Sequence, residues 1–304
     1  MKFIALVSGG KDSFFNIHHC LSQGHELVAL ANLYPEQSDE IDSFMFQSVG
    51  HDVIPLYSEC LDVPLYRRVI SAGGSKNQKL EYTVTKDDEI EDLYLLLKDI
   101  VEKHPDTTGV SCGAILSHYQ RTRVENVCGR LGLTCLAYLW QRDQMELMGE
   151  MCASGLDARL IKVAAFGLDS RHLGKSLSEM YPILIKLNQQ FEVHICGEGG
   201  EFETLVFDAS FFKKRIEVVL QEVSTSSGDV SYVKYQVVIK DKSPPKFIPL
   251  ERPPLLDEKF QEIYESQDSY KILPVTIEDK PQFEMASCTT LSDNLLFVSN
   301  LTAE

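Results

Sequence analysis

The sequence predicts an α/β fold: a doubly wound, mainly parallel sheet with a small β appendage and an extended C-terminal tail. Short Val/Ile/Leu-rich runs alternate with segments of helical periodicity through most of the chain, the pattern of parallel strands covered on both faces. Glycines gather where apolar runs end, at Gly9-Gly10, Gly113 and Gly197 to Gly200. The texture then changes near Val218.

The elements follow in order. Lys2 to Val7 (KFIALV) is a buried first strand, and beyond it Phe14, Ile17, His18 and Leu21 share one helix face that Gly24 closes. Glu26 to Leu33 reads as the second strand, Ser43 to Cys60 as mostly helix, and Pro64 to Ile70 as the third strand. Gly73-Gly74-Ser75-Lys76-Asn77 has the composition of a mobile loop. Asp87 to His104 is an acidic helix with Ile90, Leu93, Tyr94 and Leu97 on one face. Thr108 to Cys112 is a strand and Ser117 to Leu131 a helix striped by Val124, Val127, Cys128 and Leu131. Alternation continues through Thr134 to Ala137, Arg142 to Ala153, Leu160 to Phe166, Ser178 to Phe191 and Val193 to Cys196. Glu217 to Glu222 and Val230 to Lys240 form an antiparallel pair, the β appendage.

From Ser243 onward there are seven of the 12 prolines and none of the 18 glycines. The expected division is a main domain over 1–240, its nucleotide-binding region spanning 1–135 and its substrate-binding region 136–240, followed by a Pro-rich linker over 241–269. Leu295 to Leu301 is a strand with no expected partner, which predicts that the chain is the front of something longer.

Composition narrows the function classes. Of 304 residues 44% are apolar and 24% charged, ordinary for a globular chain. Lys and Arg number 29 against 45 Asp and Glu, a net charge of −16, which argues against a protein built to hold nucleic-acid backbone. No run of 18 uncharged apolar residues occurs, and the N-terminus breaks into glycine and charge after Val7, so neither a membrane span nor a signal peptide is predicted. The eight cysteines show no C-x-x-C pair and read as reduced, buried thiols of a cytoplasmic protein. His18 and His19 are adjacent, and neighbours on a helix point about 100° apart, so they converge poorly on one ion.

Three motifs carry chemistry. Ser8-Gly9-Gly10-Lys11-Asp12-Ser13 joins a buried strand to a helix N-terminus. Paired glycines there let backbone N–H groups approach an anion, which the helix dipole and Lys11 also favour. The spacing is too short for G-x-x-x-x-G-K-[ST]. The second motif runs from Gly113 to Glu125. Ser117 and Gln120 extend its core-facing stripe toward the site mouth, with Arg121 and Arg123 on either side. A solvated charge or a bond to Glu125 is the plain alternative for either arginine. The third, Cys196-Gly197-Glu198-Gly199-Gly200-Glu201-Phe202-Glu203-Thr204, is expected directly after a strand. Its clustered carboxylates repel one another unless a cation arrives, so a binding site is favoured over an acidic turn.

Ser8 to Ser13 resembles the PP-loop of the ATP pyrophosphatases, which split ATP between the α and β phosphates and activate an oxygen as its adenylate. The resemblance implies ATP and Mg²⁺. Ser8, Gly9, Gly10, Lys11, Asp12 and Ser13 would lie around the β and γ phosphates, with Lys11, Asp12 and Ser13 catalytic and Asp12 toward Mg²⁺. Ala31 and Asn32 would lie near the adenine, and Gly113 and Ala114 would complete the nucleotide site. Together, SGGKDS, the block GAILS to RLGL with the following LWQRDQ, and GEGGEFETLVFD resemble the diphthine–ammonia ligase family over about residues 1 to 220. That family makes the last amide of diphthamide on the modified histidine of translation elongation factor 2. Residues 270–304 resemble the opening of a YjgF-like domain.

By the same resemblance, Ser117, Tyr119, Gln120, Arg121, Arg123, Trp140, Gly197, Glu198, Gly199, Gly200, Glu201, Phe202 and Glu203 would take the protein substrate. Chemistry adds that Glu198, Glu201 and Glu203 could complement the trimethylammonium of diphthine, with Phe202, Tyr119 or Trp140 as a π surface. Free ammonium is the expected nitrogen donor. Lys2 follows Met1 where a glutaminase would carry cysteine, and Cys112 lies one place out of register in Gly109–Gly113. The alternatives are another PP-loop adenylating enzyme of the tRNA-modifying type, or a nucleotide-binding sensor without turnover. No stable nucleic-acid or membrane partner is expected, and the sequence leaves the oligomeric state open.

Overall fold

The computed structural model describes residues 1–35, 50, 52–70, 75–77, 79–225, 230–243, 246–251, 288–291 and 295–298. The chain divides into two compact units, 1–252 and 253–304.

In the first unit, β1 (Lys2–Leu6) is the middle strand of a parallel sheet with β2 (Glu26–Pro35), β3 (Leu65–Ile70), β4 (Thr107–Ser111) and β5 (Thr134–Leu136), in the order β3-β2-β1-β4-β5. Alternation along β1 divides the core. Phe3, Ala5 and Val7 pack with Phe14, Phe15 and Ile17 of α1 (Lys11–Ser22). Ile4 points the other way, into a cluster with Ile90, Leu93 and Leu97 of α3 (Glu89–Lys103) and Val124 and Val127 of α4 (His118–Leu131). Helices therefore cover both faces, and each fully buried Phe or Ile contributes about 1.5–3 kcal/mol. The short α2 (Leu56–Leu61) packs with the α1 cluster through Tyr57 and Cys60.

The strand order reverses beside β1, with β2 and β3 on one flank and β4 and β5 on the other. That reversal opens a crevice at the carboxyl ends of β1 and β4, where open α/β sheets bind ligands. Both Ser8 to Ser13 and Gly113 to Ser117 leave the sheet there.

The parallel sheet ends at β5, earlier than the continuing alternation implied. After α5 (Gln144–Ala153), the strands β6 (Asp157–Val163), β7 (Phe202–Asp208), β8 (Lys214–Thr225) and β9 (Ser231–Asp241) form a separate antiparallel sheet, in the order β7-β6-β9-β8. A strand buried on both faces has the same composition whatever its direction, so sequence pattern does not tell the two kinds apart. The expected β appendage is the β8–β9 ribbon, and it belongs to this sheet: β9 pairs with β6 at Lys162↔Tyr232.

Val193 to Cys196, expected as a strand, is a turn between α6 (Leu177–Phe191) and β7. Side chains have taken its backbone donors. The Ile195 amide donates to Gln144 Oε1 (2.8 Å) and the Cys196 amide to His194 Nδ1 (3.1 Å). The third motif thus leads into β7 and does not follow a strand.

Of the expected helix Ser43 to Cys60, Leu56–Leu61 is helical, while 43–49 and 51 lie outside the described residues, as do Gly73, Gly74 and most of 241–269. In the second unit, β11 (Leu295–Val298) does have a partner. It pairs antiparallel with β10 (Cys288–Leu291), immediately upstream.

His18 and His19 are both buried but serve separate contacts. His18 Nε2 lies 2.7 Å from the Ile248 carbonyl oxygen, and His19 Nε2 lies 3.8 Å from Glu150 Oε2. Among the described residues no His/Cys/Asp/Glu group is arranged to hold a metal ion by itself.

Candidate active site

The first motif makes the turn that its glycines allow. Gly9 sits at φ +91, where an L side chain is strained, and a Cβ there would lie 2.9 Å from Ile54 Cδ1. Gly10 occupies the N-cap of α1 and brings no side chain to cap it. Past the Lys11 amide, which Thr204 takes, the Asp12 and Ser13 amides have no capping side chain, the arrangement that attracts anions. Ser13 Oγ donates back to the Gly10 carbonyl (2.9 Å), and the Gly10 amide approaches Ser8 Oγ (3.4 Å).

The other two motifs close on this turn. The Val206 amide donates to the Gly9 carbonyl (2.9 Å), and Thr204 Oγ1 accepts the Lys11 amide (3.0 Å), so β7 is bolted to the loop. Lys11 Nζ is buried between Asp12 Oδ2 (2.9 Å) and the Cys196 carbonyl, 5.3 Å from the Phe202 ring centroid. Burial opposes the charge on Lys11, but Asp12 and its other neighbours, Glu198 among them, outweigh that and raise its pKa.

From the second motif, Gly113 presses against the first turn of α1. A Cβ at that position would lie 2.7 Å from the Asp12 backbone carbon, so glycine is the residue that fits. Glu198 Oε2 accepts the Leu116 amide (2.9 Å), linking the third motif to the second. Burial first, and then the charge of Asp12, push the Glu198 carboxyl up from its ordinary value. Asp12 Oδ1 is buried with no hydrogen-bond partner.

The remaining sequence-predicted residues divide. Ser117 caps α4 by accepting the Gln120 amide (3.3 Å), which fixes the end of the second motif beside Glu198. Trp140 stands against His118 (centroids 4.8 Å apart) and under Arg121 (4.5 Å), and Arg121 also pairs with Glu125 at 2.7 Å. Ala31 is buried, and its carbonyl accepts the Val7 amide (3.0 Å). Ala114 is buried as well. Asn32 donates to the Val7 carbonyl (2.9 Å), directly behind the loop.

Four expectations need correcting. Arg123 flanks no mouth: it is 0% exposed, stacked on the Tyr119 ring at 3.3 Å. It donates to the carbonyls of Asn77, Lys79 and Tyr119, and the Tyr119 hydroxyl meets Ser75 Oγ, so the pair ties Ser75, Asn77 and Lys79 to α4. Phe202 is 2% exposed and offers no open face. Glu201 closes its own loop, accepting the amides of His194 (2.9 Å) and Gly199 (2.7 Å). Glu203 pairs with Lys162 at 3.3 Å. The carboxylates do not await one shared cation, because backbone amides and Lys162 have already separated them; of the three, Glu198 faces Lys11 and Asp12.

The positive-φ glycines Gly197 (+74) and Gly200 (+82) shape this loop, and Gly199 leaves room for Glu201, whose Oε1 would lie 2.9 Å from a Cβ there.

Sequence reasoning missed several residues. Thr204 was in view as the end of the third motif without a role. His194, whose Nε2 is buried without a partner while Nδ1 accepts the Cys196 amide, had no motif to mark it. Tyr57 donates to the Val206 carbonyl (2.7 Å) and braces the same junction. Arg67 donates to Asn32 Oδ1 (2.9 Å) from β3, a contact that only strand pairing brings about.

Comparison with known proteins follows the same lines. Residues 1–135 match the family model of the diphthamide synthase N-terminal domain, and 143–237 that of the diphthamide synthase C-terminal domain. The chain is 58% identical over 273 residues to a diphthine–ammonia ligase of Schizosaccharomyces pombe, covering 87% of this chain and 45% of that one. It is 56% identical over 260 residues to one of Saccharomyces cerevisiae (80% and 38%). A third, from Homo sapiens, is 51% identical over 252 residues, covering 80% of this chain and 94% of that one. The chain thus spans less than half the length of these two fungal relatives.

Proposed function

The chain belongs to the diphthine–ammonia ligase (diphthamide synthase) family, and from that premise we propose that it amidates diphthine on elongation factor 2 to diphthamide at the expense of ATP. The observation that carries this reading is the convergence of all three motifs on the uncapped start of α1. Lys11 is bound to the third motif there, and Gly113 of the second packs against the first turn.

A carboxylate does not condense with ammonia in water, because the pair forms a salt and oxide is a poor leaving group. The reaction proceeds in two displacements. The diphthine carboxylate attacks the α phosphorus of ATP, forming a C–O–P bond and releasing pyrophosphate. Ammonium gives one proton to solvent, the resulting ammonia attacks the acyl carbon, AMP leaves with the carboxyl oxygen, and the nitrogen sheds a second proton to give the neutral amide. The protein's contribution is alignment and charge neutralisation. The Asp12 and Ser13 amides at the start of α1 and the Lys11 ammonium receive the departing diphosphate.

Asp12 fits a cation, since its Oδ1 is buried without a partner, and it would hold Mg²⁺ together with the phosphates. When bound, that ion neutralises polyphosphate charge. Glu198, half-buried and facing Lys11 and Asp12, is suited to the cationic side of the substrate, and of the three candidate rings Trp140 is the one neither buried nor stacked on Arg123.

Free ammonium is the nitrogen source in this reading. Cys112 is 5% exposed, and a hydrogen bond with Cys135, together with burial, pushes its thiol pKa well up, which is unsuited to glutaminase chemistry. An elongation-factor substrate sets the work in the cytoplasm.

The test is pyrophosphate release with ATP, ammonium and diphthine-bearing elongation factor, using wild type and Lys11→Ala. Release that needs all three components and is lost in the variant supports the proposal. Release indifferent to the elongation factor points to a different acyl acceptor, and ATP binding without release points to a sensor.

A further inference from the structure

We infer that Arg67 is a nucleotide-specificity residue, donating from its free guanidinium N–H to a ring nitrogen of the adenine. The inference rests on Ser8 to Ser13 taking the phosphates, as proposed above.

A row of polar contacts crosses the carboxyl ends of β1, β2 and β3. The Val7 carbonyl accepts Asn32 Nδ2 (2.9 Å), and Asn32 Oδ1 accepts Arg67 Nε (2.9 Å). Asn32 and Arg67 are register partners, and Tyr34 stands two residues along β2 on the same face. The guanidinium lies over the Tyr34 ring, 4.2 Å from its centroid. Both its position and its plane are therefore fixed.

Its Nη2, however, is buried and has no hydrogen-bond partner. Burial lowers the Arg67 pKa, partly offset by Tyr34 and Asp52. A buried donor with no acceptor is costly and needs an explanation. An acceptor brought by a ligand is one that suits the place.

Geometry selects the region of the ligand. The β4 side of the crevice is filled by Gly113 against the first turn of α1, so a nucleotide whose phosphates meet that turn lays its base toward β2 and β3. Parallel strands are about 4.8 Å apart, which sets β3 roughly 10 Å from β1. That separation is of the order of the span from the phosphates of a nucleotide to its base, and Arg67, rooted on β3 and tied to Asn32 of β2, stands on the base side of the turn. Asn32, expected near the adenine, is held by Val7 and Arg67 and acts by aiming the guanidinium.

The experiment measures dissociation constants for AMP and for inorganic pyrophosphate, by calorimetry, on wild type and Arg67→Met. Pyrophosphate affinity is expected to stay unchanged while AMP weakens about ten- to a hundredfold, the range for a hydrogen bond to a charged group. In parallel, wild type is titrated with 1-deaza-, 3-deaza- and 7-deaza-AMP. One of the three should weaken by a similar factor, and that deficit should vanish in Arg67→Met. The deaza series needs no variant, so it decides the matter even if Arg67→Met does not fold. Equal binding of AMP and all three analogues to wild type overturns the inference, as does a variant that holds AMP like wild type. Wild type that binds neither AMP nor pyrophosphate refutes the phosphate reading of Ser8 to Ser13 itself, and this inference with it.

Discussion

Thr204 Oγ1 accepts the backbone N–H of Lys11 at 3.0 Å, joining the first turn of α1 to the second residue after Phe202 on β7. Thr204 is 2% exposed, so Thr204→Val would bury that N–H without an acceptor, at a cost of about 1–3 kcal/mol. Thermal unfolding should show the loss, and pyrophosphate release should fall at least about tenfold because the turn is no longer held to β7. Thr204→Ser keeps the oxygen and should restore most of both. A valine variant with wild-type activity would separate this bond from function.

Gly113→Ala places a methyl group 2.7 Å from the Asp12 backbone carbon, against main chain that cannot rotate away. Overpacking of this kind costs about 1–3 kcal/mol, and it acts on the first turn of α1 directly. The expected result is a lower midpoint in thermal unfolding together with weaker binding of inorganic pyrophosphate. Gly129→Ala, on an open face of α4 where a methyl meets nothing within 4 Å, is the control: it should leave pyrophosphate binding unchanged and raise the midpoint slightly, since alanine favours helix.

Glu198→Gln should divide activity from stability. The wild-type carboxyl has its pKa raised by burial and by Asp12, so ionising it in the folded state carries a cost. That cost is absent below the unfolded pKa and fully present above the folded one. Glutamine removes it while its oxygen can still accept the Leu116 amide. At pH 7.5 the variant should melt at or above the wild-type temperature, yet turn over at least about a hundredfold more slowly. A variant that melts lower at pH 7.5 than at pH 4, relative to wild type, would contradict the sign.

Arg123→Met should act on stability above all. Its guanidinium serves the carbonyls of Asn77 and Lys79, and a buried acceptor left unsatisfied costs about 1–3 kcal/mol. Limited proteolysis at Lys76 and Lys79 should become faster, because Asn77 and Lys79 lose their tie to α4. Unchanged proteolysis would show that Asp88 alone, which accepts the amides of Lys76 and Asn77, is sufficient.

Acid should weaken the pairing of Glu150 with Arg142 in a defined window. Burial alone would raise the Glu150 pKa, but His19 and Arg142 outweigh it and bring it down to about 2. A depressed carboxyl stabilises the fold above its unfolded pKa, and that stability is lost as pH falls toward the folded value. Wild type should therefore lose thermal stability between about pH 4.5 and pH 2, and Glu150→Gln should lose less over the same interval. Parallel curves for the two proteins would remove Glu150 from the account.

The sequence made the parallel sheet and the glycine turn from β1 into α1 readable for a local reason. A buried strand, paired glycines and a helix face follow one another within Lys2 to Leu21, so every cue sits next to the one it explains. The second half offered no such neighbourhood. Ile195 and Cys196 look like strand because they are apolar and buried, but Gln144 and His194 claim their donors, and Gln144 comes from another helix. Arg123 looked like a surface charge because the carbonyls that bury it lie 44 and 46 residues upstream. Glu201 and Glu203 looked like a cation trap because their partners are two backbone amides and a lysine on β6. Charge and periodicity describe a residue's own segment, whereas these assignments belong to the other side of a contact.

The hydrogen bond from the Val206 amide to the Gly9 carbonyl has a practical corollary for protein engineering. Severing the backbone near residue 140 would give one fragment carrying the Ser8–Ser13 turn and another carrying the β-strand that braces it. Each would be silent alone, and reassembly would restore the turn, so the pair could serve as a complementation reporter whose signal is the activity proposed above.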